Sequence, residues 1–395
     1  MAHSNPVETR DSRKLADLSR RTIVVYAPSL KFSGARHVGW TIIRELGKRA
    51  DVARVHALVP TQRLYEQLGS EKIHLHFVPR ILQVSPAVVL WNIMLRRMVA
   101  RVRPDAVLNL ANIAVPRVDK QFVLLHWPHP LHMDAEVARR LSARERIVTR
   151  AKIATFRRRL RHARGYFVQT SAAREVLRAR YGIESKIMAN AVDGRLEMRP
   201  PTAERRDRRR RILVFSHFYP HKNLEVVEEL ARHVFERSLP YVFVLTVDPS
   251  ASRPGAAFLD RLRWAIETGV VENKGRVAAT EIAHLYASSD VLLLPTLLES
   301  FSTTYSEALH FGVPIVTSDR DFARSVCGDA ALYVDPLSAE SIFTALEMLT
   351  ASEELRTRLV ASGRKIAAAQ PSWREIVERT MGDIGHDLRW PQATT

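Results

Sequence analysis

The sequence predicts an α/β protein built as two parallel-sheet domains, and three observations carry that prediction. Short apolar runs of strand length alternate with helix-period segments through most of the chain, the pattern of βαβ units whose sheet is covered on both faces. The 395 residues exceed one comfortable core, so two domains of about 180 residues each are expected. Midway, Arg199-Pro-Pro-Thr-Ala-Glu-Arg-Arg-Asp-Arg-Arg-Arg-Arg211 breaks the alternation as a Pro-led, charged linker. The expected division is a mobile leader over 1–20, a first domain over 21–199, a linker over 200–211, a second domain over 212–370, and a closing helix and tail over 371–395.

In order, Thr22–Ala27 reads as the first strand, followed by a glycine-containing loop, Pro28 to His37, and a helix over Val38–Lys48. Further strands are expected at Arg54–Leu58, Ile73–Val78, Ala106–Leu110 and Phe122–Leu125. His126-Trp-Pro-His129-Pro130 then lies at a strand's carboxyl end, where ligands of open parallel sheets bind. In the second half, Ile212–Phe215 leads through Ser216-His217-Phe-Tyr-Pro-His221-Lys222-Asn223 into a helix over Leu224–Glu236. Tyr241–Val247 is the next strand, and a helix is expected near Ala256–Thr268. A last helix, roughly Arg374–Ile384, is expected to pack back across both domains.

The most informative stretch is Asp290-Val-Leu-Leu-Leu294-Pro-Thr-Leu-Leu-Glu299-Ser-Phe301-Ser-Thr-Thr304-Tyr-Ser-Glu307-Ala-Leu-His-Phe-Gly312-Val-Pro314. An apolar strand runs into a turn, then into a helix that Gly312 stops. Ser302, Thr303 and Thr304 sit where that helix begins, so its free amides and the positive end of its dipole are available to an anion. Two carboxylates, Glu299 and Glu307, stand with seven residues between them. Thr304-x-x-Glu307 also fits a helix capping box, the structural alternative.

This layout resembles the donor-site motif of the retaining family 4 glycosyltransferases. The resemblance runs from about Thr22 to Asp383 and is more specific in the second half. It implies the GT-B fold, two Rossmann-like domains facing across a cleft, with the C-terminal helix crossing back. It implies that Glu299 contacts the donor sugar, that Glu307 holds the nucleotide ribose, and that the amides after Phe301, at Ser302, Thr303 and Thr304, hold the diphosphate. Lys222 matches the family's diphosphate lysine, while His217 stands where the family carries arginine, an exchange of a fixed charge for a mostly neutral imidazole. Gly34 matches one glycine of a Gly-Gly loop whose second position is Ala35 here. Gly275-Arg276-Val277 resembles the base-binding loop. His126, a residue the family often has here, joins Glu299 and Lys222 as the expected catalytic set. A nucleoside-diphosphate sugar is the implied co-substrate, with no metal or other cofactor expected.

Composition narrows the partners. Cys327 is the sole cysteine, which excludes a disulfide framework and a cysteine zinc site. Residues 1–200 carry 37 Lys and Arg against 16 Asp and Glu, while residues 201–395 carry 23 against 26. Arg146–Arg164 holds seven arginines, one lysine and no acid. With the amphipathic Val88–Val99 stretch, this points to a surface resting on anionic lipid. No signal-peptide core or membrane-spanning run is evident, so a cytoplasmic enzyme, peripheral on the inner face of the cell membrane, is expected. Nucleic acid is not an expected partner, since the basic residues have no zinc-finger spacing and no interleaved aromatics. The expected reaction is transfer of a hexose, with mannose the family-frequency choice, to a glycan or lipid-diphosphate-linked acceptor. The alternatives are a GT-B-like nucleotide-sugar epimerase and a non-catalytic basic membrane or nucleic-acid binder on a transferase scaffold.

Overall fold

The computed structural model describes residues 20–30, 33–61, 63–79, 81, 88–192 and 209–390. The expected leader up to residue 19, Lys31 and Phe32 of the first loop, and the expected linker up to residue 208 lie outside the described residues.

Strands β1 (Arg21–Tyr26), β2 (Val52–Pro60), β3 (Ile73–Val78), β4 (Ala106–Asn109), β5 (Gln121–Leu125), β6 (Gly165–Val168) and β7 (Ser185–Ile187) form one sheet in the order β3-β2-β1-β4-β5-β6-β7. Strands β8 (Arg210–Val214), β9 (Tyr241–Leu245), β10 (Val271–Asn273), β11 (Val291–Leu294), β12 (Ile315–Ser318) and β13 (Ala331–Val334) form the other, ordered β10-β9-β8-β11-β12-β13. All pairings are parallel. In both sheets the order reverses beside the first strand, which opens a crevice at the carboxyl ends of β1 and β4 and of β8 and β11. The central strands are apolar on both faces because helices cover both: all five residues of β5 and all four of β11 are buried.

The helices that matter below are α1 (Ser33–Lys48), α2 (Val88–Val102), α3 (Ala143–Arg159), α4 (Ser171–Tyr181), α5 (Val226–Glu236), α6 (Thr303–Phe311), α7 (Asp321–Cys327) and α8 (Trp373–Leu388). Helix α8 returns to the first domain, as expected. Its Trp373, Ile376, Val377, Met381 and Ile384 join the core of the first sheet, and Lys186 bonds Asp387 at 2.9 Å.

Three expectations are corrected. Helix α1 begins at Ser33, so Gly34 to His37 lie in its first turns and not in a loop. A distant residue sets this: the Tyr65 hydroxyl reaches Leu30 O and Arg36 O, both at 3.2 Å, and fastens the chain on either side of the helix start. Strand β8 starts at Arg210, inside the expected linker. Its two arginines are tolerated there because the Arg210 guanidinium lies 3.5 Å from Asp290 and that of Arg211 donates to Glu272 at 2.6 Å. The helix expected near 256–268 is two, Arg253–Arg261 and Arg263–Glu267, because buried Leu262 leaves the helical path at φ −86°, ψ 3°.

Candidate functional site

Strands β8 and β11 are neighbours, with Val291 beside Ile212, so the loops leaving their carboxyl ends meet although they lie far apart in sequence. The carbonyl of His221 accepts from the Leu297 amide at 2.8 Å and the Thr296 hydroxyl at 3.2 Å. Asn223 turns the chain in the left-handed region, at φ 54°, and its amide donates to Pro336 O at 2.6 Å. Held this way, the Lys222 ammonium bonds the Glu299 carboxylate directly, with the two side chains only 18% and 11% exposed. A charge-assisted bond between two groups so far removed from water fixes both side chains at the floor of the crevice.

Helix α6 starts immediately beyond. Its N-cap, Ser302, makes no side-chain cap bond, so the first amides are open and the dipole's positive end is uncompensated. The alternative capping box does not form. Glu307 instead accepts from the Tyr286 hydroxyl at 2.8 Å, a hydroxyl that also reaches Thr304 O at 3.3 Å. Tyr286 is fully buried, and its phenol is held well above the usual pKa by desolvation first and the Glu307 charge second. It therefore remains a donor that points the carboxylate. Gly312 closes the helix at φ 70°, as its position in the sequence predicts.

Gly34 comes to this helix from the other domain: a Cβ built on it would stand 3.9 Å from Thr303 Oγ1. The start of α1 thus abuts the start of α6, and two helix N-termini converge. Phe301 and Val277 pack together against the apolar cluster around Tyr286 and Tyr305. Gly275, at φ 62°, carries the chain into Arg276, which is exposed. His217 is exposed as a residue, but its ring is held below the ordinary imidazole pKa, by desolvation first and then by Lys222 and Arg276, with Asp248 opposing. Asp248 was not singled out from the sequence.

On the facing wall, His126 is fixed on every side. Its amide donates to Asn112 Oδ1 at 2.8 Å, Nε2 donates to Leu110 O at 2.8 Å, and its carbonyl accepts from Ser300 Oγ, next to Glu299, at 2.9 Å. The Leu110 bond selects the tautomer and leaves Nδ1 as the ring's acceptor. Desolvation is the main cause that holds this imidazole below its usual pKa, so it is neutral at pH 7. Beyond it, rings follow across the cleft: Trp127 stacks on His129 at 5.5 Å, His129 meets His221 edge-on at 5.9 Å, and His221 stacks on Tyr219 at 5.6 Å. Burial lowers His129 to about 4 and His221 to about 3.

The structure therefore brings Lys222, Glu299, Ser302 to Thr304, Glu307 and Gly34 to one place, with His126 linked through Ser300 and with His217 and Arg276 on the adjoining loops. Tyr286 carried no local signal in the sequence. His221 was legible only as a neighbour of Lys222, and His129 only as a loop neighbour.

Two doubly wound domains facing across a crevice, with the last helix crossing back, define the GT-B fold. Residues 199–366 match the family model described as glycosyl transferases group 1. An O-antigen chain mannosyltransferase B of Escherichia coli is 30% identical over 114 residues, 29% of this chain and 29% of that protein. An MMP alpha-(1->4)-mannosyltransferase of Mycolicibacterium hassiacum is 29% identical over 183 residues, 45% of this chain and 43% of that protein. The chain thus spans less than half the length of these curated relatives. Among solved structures, WaaG, a glycosyltransferase involved in lipopolysaccharide biosynthesis, superposes with a TM-score of 0.68 at 15% identity, covering 92% of this chain and 99% of that one.

Proposed function

We propose that this protein is a retaining glycosyltransferase of the family 4 type that moves a hexose, specifically mannose, from a nucleoside-diphosphate sugar to a glycan or lipid-linked acceptor at the cytoplasmic face of the membrane. The observation that carries the reading is the meeting of the Lys222–Glu299 pair with the open N-terminus of α6 and with Glu307, at the carboxyl ends of β8 and β11. The two mannosyltransferase relatives support the choice of sugar.

The barrier is rupture of the sugar–phosphate bond, which puts negative charge on the departing diphosphate. Lys222, released from Glu299 when the donor enters, and the amides at Ser302, Thr303 and Thr304 neutralise that charge. Glu299, freed in the same exchange, accepts from hydroxyls of the sugar. Tyr286 aims Glu307 at the ribose, and Arg276 and Val277 border the base. His126, neutral and with Nδ1 open, accepts a proton or a sugar hydroxyl on the side of the first domain. A metal is not required by this charge balance.

Membrane contact is assigned to α3. Only Phe156 of its residues is buried, while Ile147 and Val148 are 68% and 54% exposed among exposed arginines. Apolar side chains between cations suit an interface of lipid headgroups. Among the described residues no helix is long and apolar enough to cross a membrane.

The test is a melting-temperature panel with GDP, UDP, dTDP and their common sugars on the wild type and on Glu307→Ala. Ligand at 100 times its Kd stabilises by about 2.7 kcal/mol. A base-selective shift that the variant loses supports the donor site and names the donor; no shift with any nucleotide refutes it.

A further inference from the structure

Helix α3 is lined with cations, but Lys152 differs from the rest. It lies four residues before Phe156 and so shares the helix stripe that packs inward on Tyr166 and Tyr181. Although Lys152 is exposed as a whole residue, its ammonium rests on the Trp127 indole, 4.1 Å from the ring centroid. No carboxylate lies within ion-pair range of it among the described residues. Its charge is felt instead by two neutral imidazoles, His126 and His129. His129 Nδ1 is buried there without a hydrogen-bond partner. A desolvated cation without a counter-ion and an unpaired buried ring nitrogen are each unfavourable, and one anionic group relieves both.

We propose that Lys152, Trp127 and His129 form an acceptor subsite for a phosphate group carried by the sugar acceptor. Lys152 and the Nδ1–H tautomer of His129 bond the phosphate oxygens. The series Trp127, His129, His221 continues into the Lys222 loop, so a phosphate held at one end leaves the attached sugar directed at the donor. The inference rests on the glycosyl-transfer reading and narrows its acceptor to phosphate-bearing molecules. Desolvation, the one cause acting on the Lys152 ammonium, holds its pKa below the usual lysine value.

The experiment uses the full chain with a saturating nucleoside diphosphate, chosen by the melting-temperature panel. Mannose 1-phosphate, octyl diphosphate and methyl α-mannoside are titrated while tryptophan fluorescence is read, with Trp127→Phe identifying the contribution of that ring. The phosphate-bearing probes are expected to bind, and Lys152→Gln to weaken them about tenfold, the loss of one charge-assisted bond. Lys152→Arg is expected to restore most of that affinity. Methyl α-mannoside is expected to bind far more weakly and without regard to residue 152. Binding of octyl diphosphate alone supports the proposal and assigns a lipid-linked source; binding of mannose 1-phosphate alone supports it and assigns a soluble sugar phosphate. Equal affinity of wild type and Lys152→Gln for every phosphate probe overturns it, as does methyl α-mannoside binding as tightly as mannose 1-phosphate. If no nucleotide shifts the melting temperature, the glycosyl-transfer reading itself fails. A nucleotide shift with phosphate binding indifferent to residue 152 removes only this subsite. Lys152→Gln is expected to fold, with a melting temperature at or above that of the wild type, since it removes a cation that has no counter-ion.

Discussion

Replacing Lys222 by alanine tests the centre of the site. The substitution leaves Glu299 as a lone carboxylate at 11% exposure, on a loop tied to the second sheet through Leu297 and Thr296. Removing one partner of a buried pair costs about 3–5 kcal/mol because the other charge stays desolvated. The crevice admits water to part of this pair, which places the cost near 3 kcal/mol. For a domain of this size that lowers Tm by about 6–12 °C. Adding Glu299→Gln removes the stranded charge and should recover most of the loss, with a coupling of about 2 kcal/mol between the two positions. Activity follows a different rule. Both groups serve the transition state in the proposed reaction, so Lys222→Ala lowers kcat about 10²–10³-fold and the double variant does not recover it.

The assay is therefore paired: calorimetric melts of wild type, both single variants and the double variant, beside turnover of the donor selected by the nucleotide panel. Recovery of stability without recovery of turnover is the expected pattern. A Lys222→Ala variant that melts within a degree of wild type would refute the buried-pair argument. So would strict additivity of the two substitutions.

Further outcomes follow from other contacts. Tyr286→Phe removes the hydrogen bond that aims Glu307 and is expected to raise the donor KM about tenfold with under 2 kcal/mol lost in stability, read by steady-state kinetics and melts. His56, His74 and His76 cluster on β2 and β3, with His56 Nδ1 3.2 Å from His76 Nε2, and His56 is lowered to about 4 by burial first and its histidine neighbours next. The unfolded chain therefore binds more protons between pH 6.5 and 4, so this contribution to stability is full above 6.5 and is lost as pH falls toward 4. After discounting for partial exposure it amounts to about 1–2 kcal/mol, and His56→Asn should flatten the pH dependence of Tm. Gly39→Ala places a Cβ 2.6 Å from Leu30 Cδ1 and 3.0 Å from the Tyr65 hydroxyl, so it should lower stability by about 1–3 kcal/mol in urea unfolding. Ile147→Glu with Val148→Glu should abolish flotation with anionic liposomes; flotation insensitive to lipid charge would remove α3 from the membrane.

The sequence was most legible where one element contains its own reason. The apolar run of β11, the turn, the start of α6 and the Gly312 stop are all local, and each stands where its residues predict. The contacts that complete the site are not local. Tyr286 aims Glu307 from a separate helix, and Tyr65 decides where α1 begins by bonding carbonyls on both sides of Ser33. The two arginines of β8 read as linker because the acids that neutralise them lie far away in sequence, Glu272 on β10 and Asp290 just before β11. Lys152 was indistinguishable from its neighbours in a run of cations until the fold turned it onto Trp127.

The way the two domains meet bears on how substrates enter. Besides the contacts at the site, several polar contacts join them among the described residues: Arg320 with Asp134 at 3.5 Å, His132 with Asp321 at 3.5 Å, Arg140 with Glu225 at 3.7 Å, and Ser171 with Ser325 at 3.2 Å. Partly exposed pairs of this kind contribute about 0–1 kcal/mol each. His132 adds little charge at neutral pH, because burial outweighs Asp321 and lowers its pKa. The apolar part of the contact is small, with Val137 and Met133 of the first domain on Leu297 and Leu298 of the second. Beside it a cavity of about 640 Å³, bordered by His132, Arg180 and Asp319 to Phe322, leaves the interface incompletely packed. Helix α8, by contrast, is anchored by five buried side chains in the first core. One durable tether and one weak, partly hollow contact predict a hinge between the domains. On the proposed reaction the crevice would open for donor and acceptor at small cost by parting Gly34 from Thr303, Ser300 from His126 and His129 from His221, and small-angle scattering that gives the same dimensions with and without the nucleotide selected by the panel would refute it.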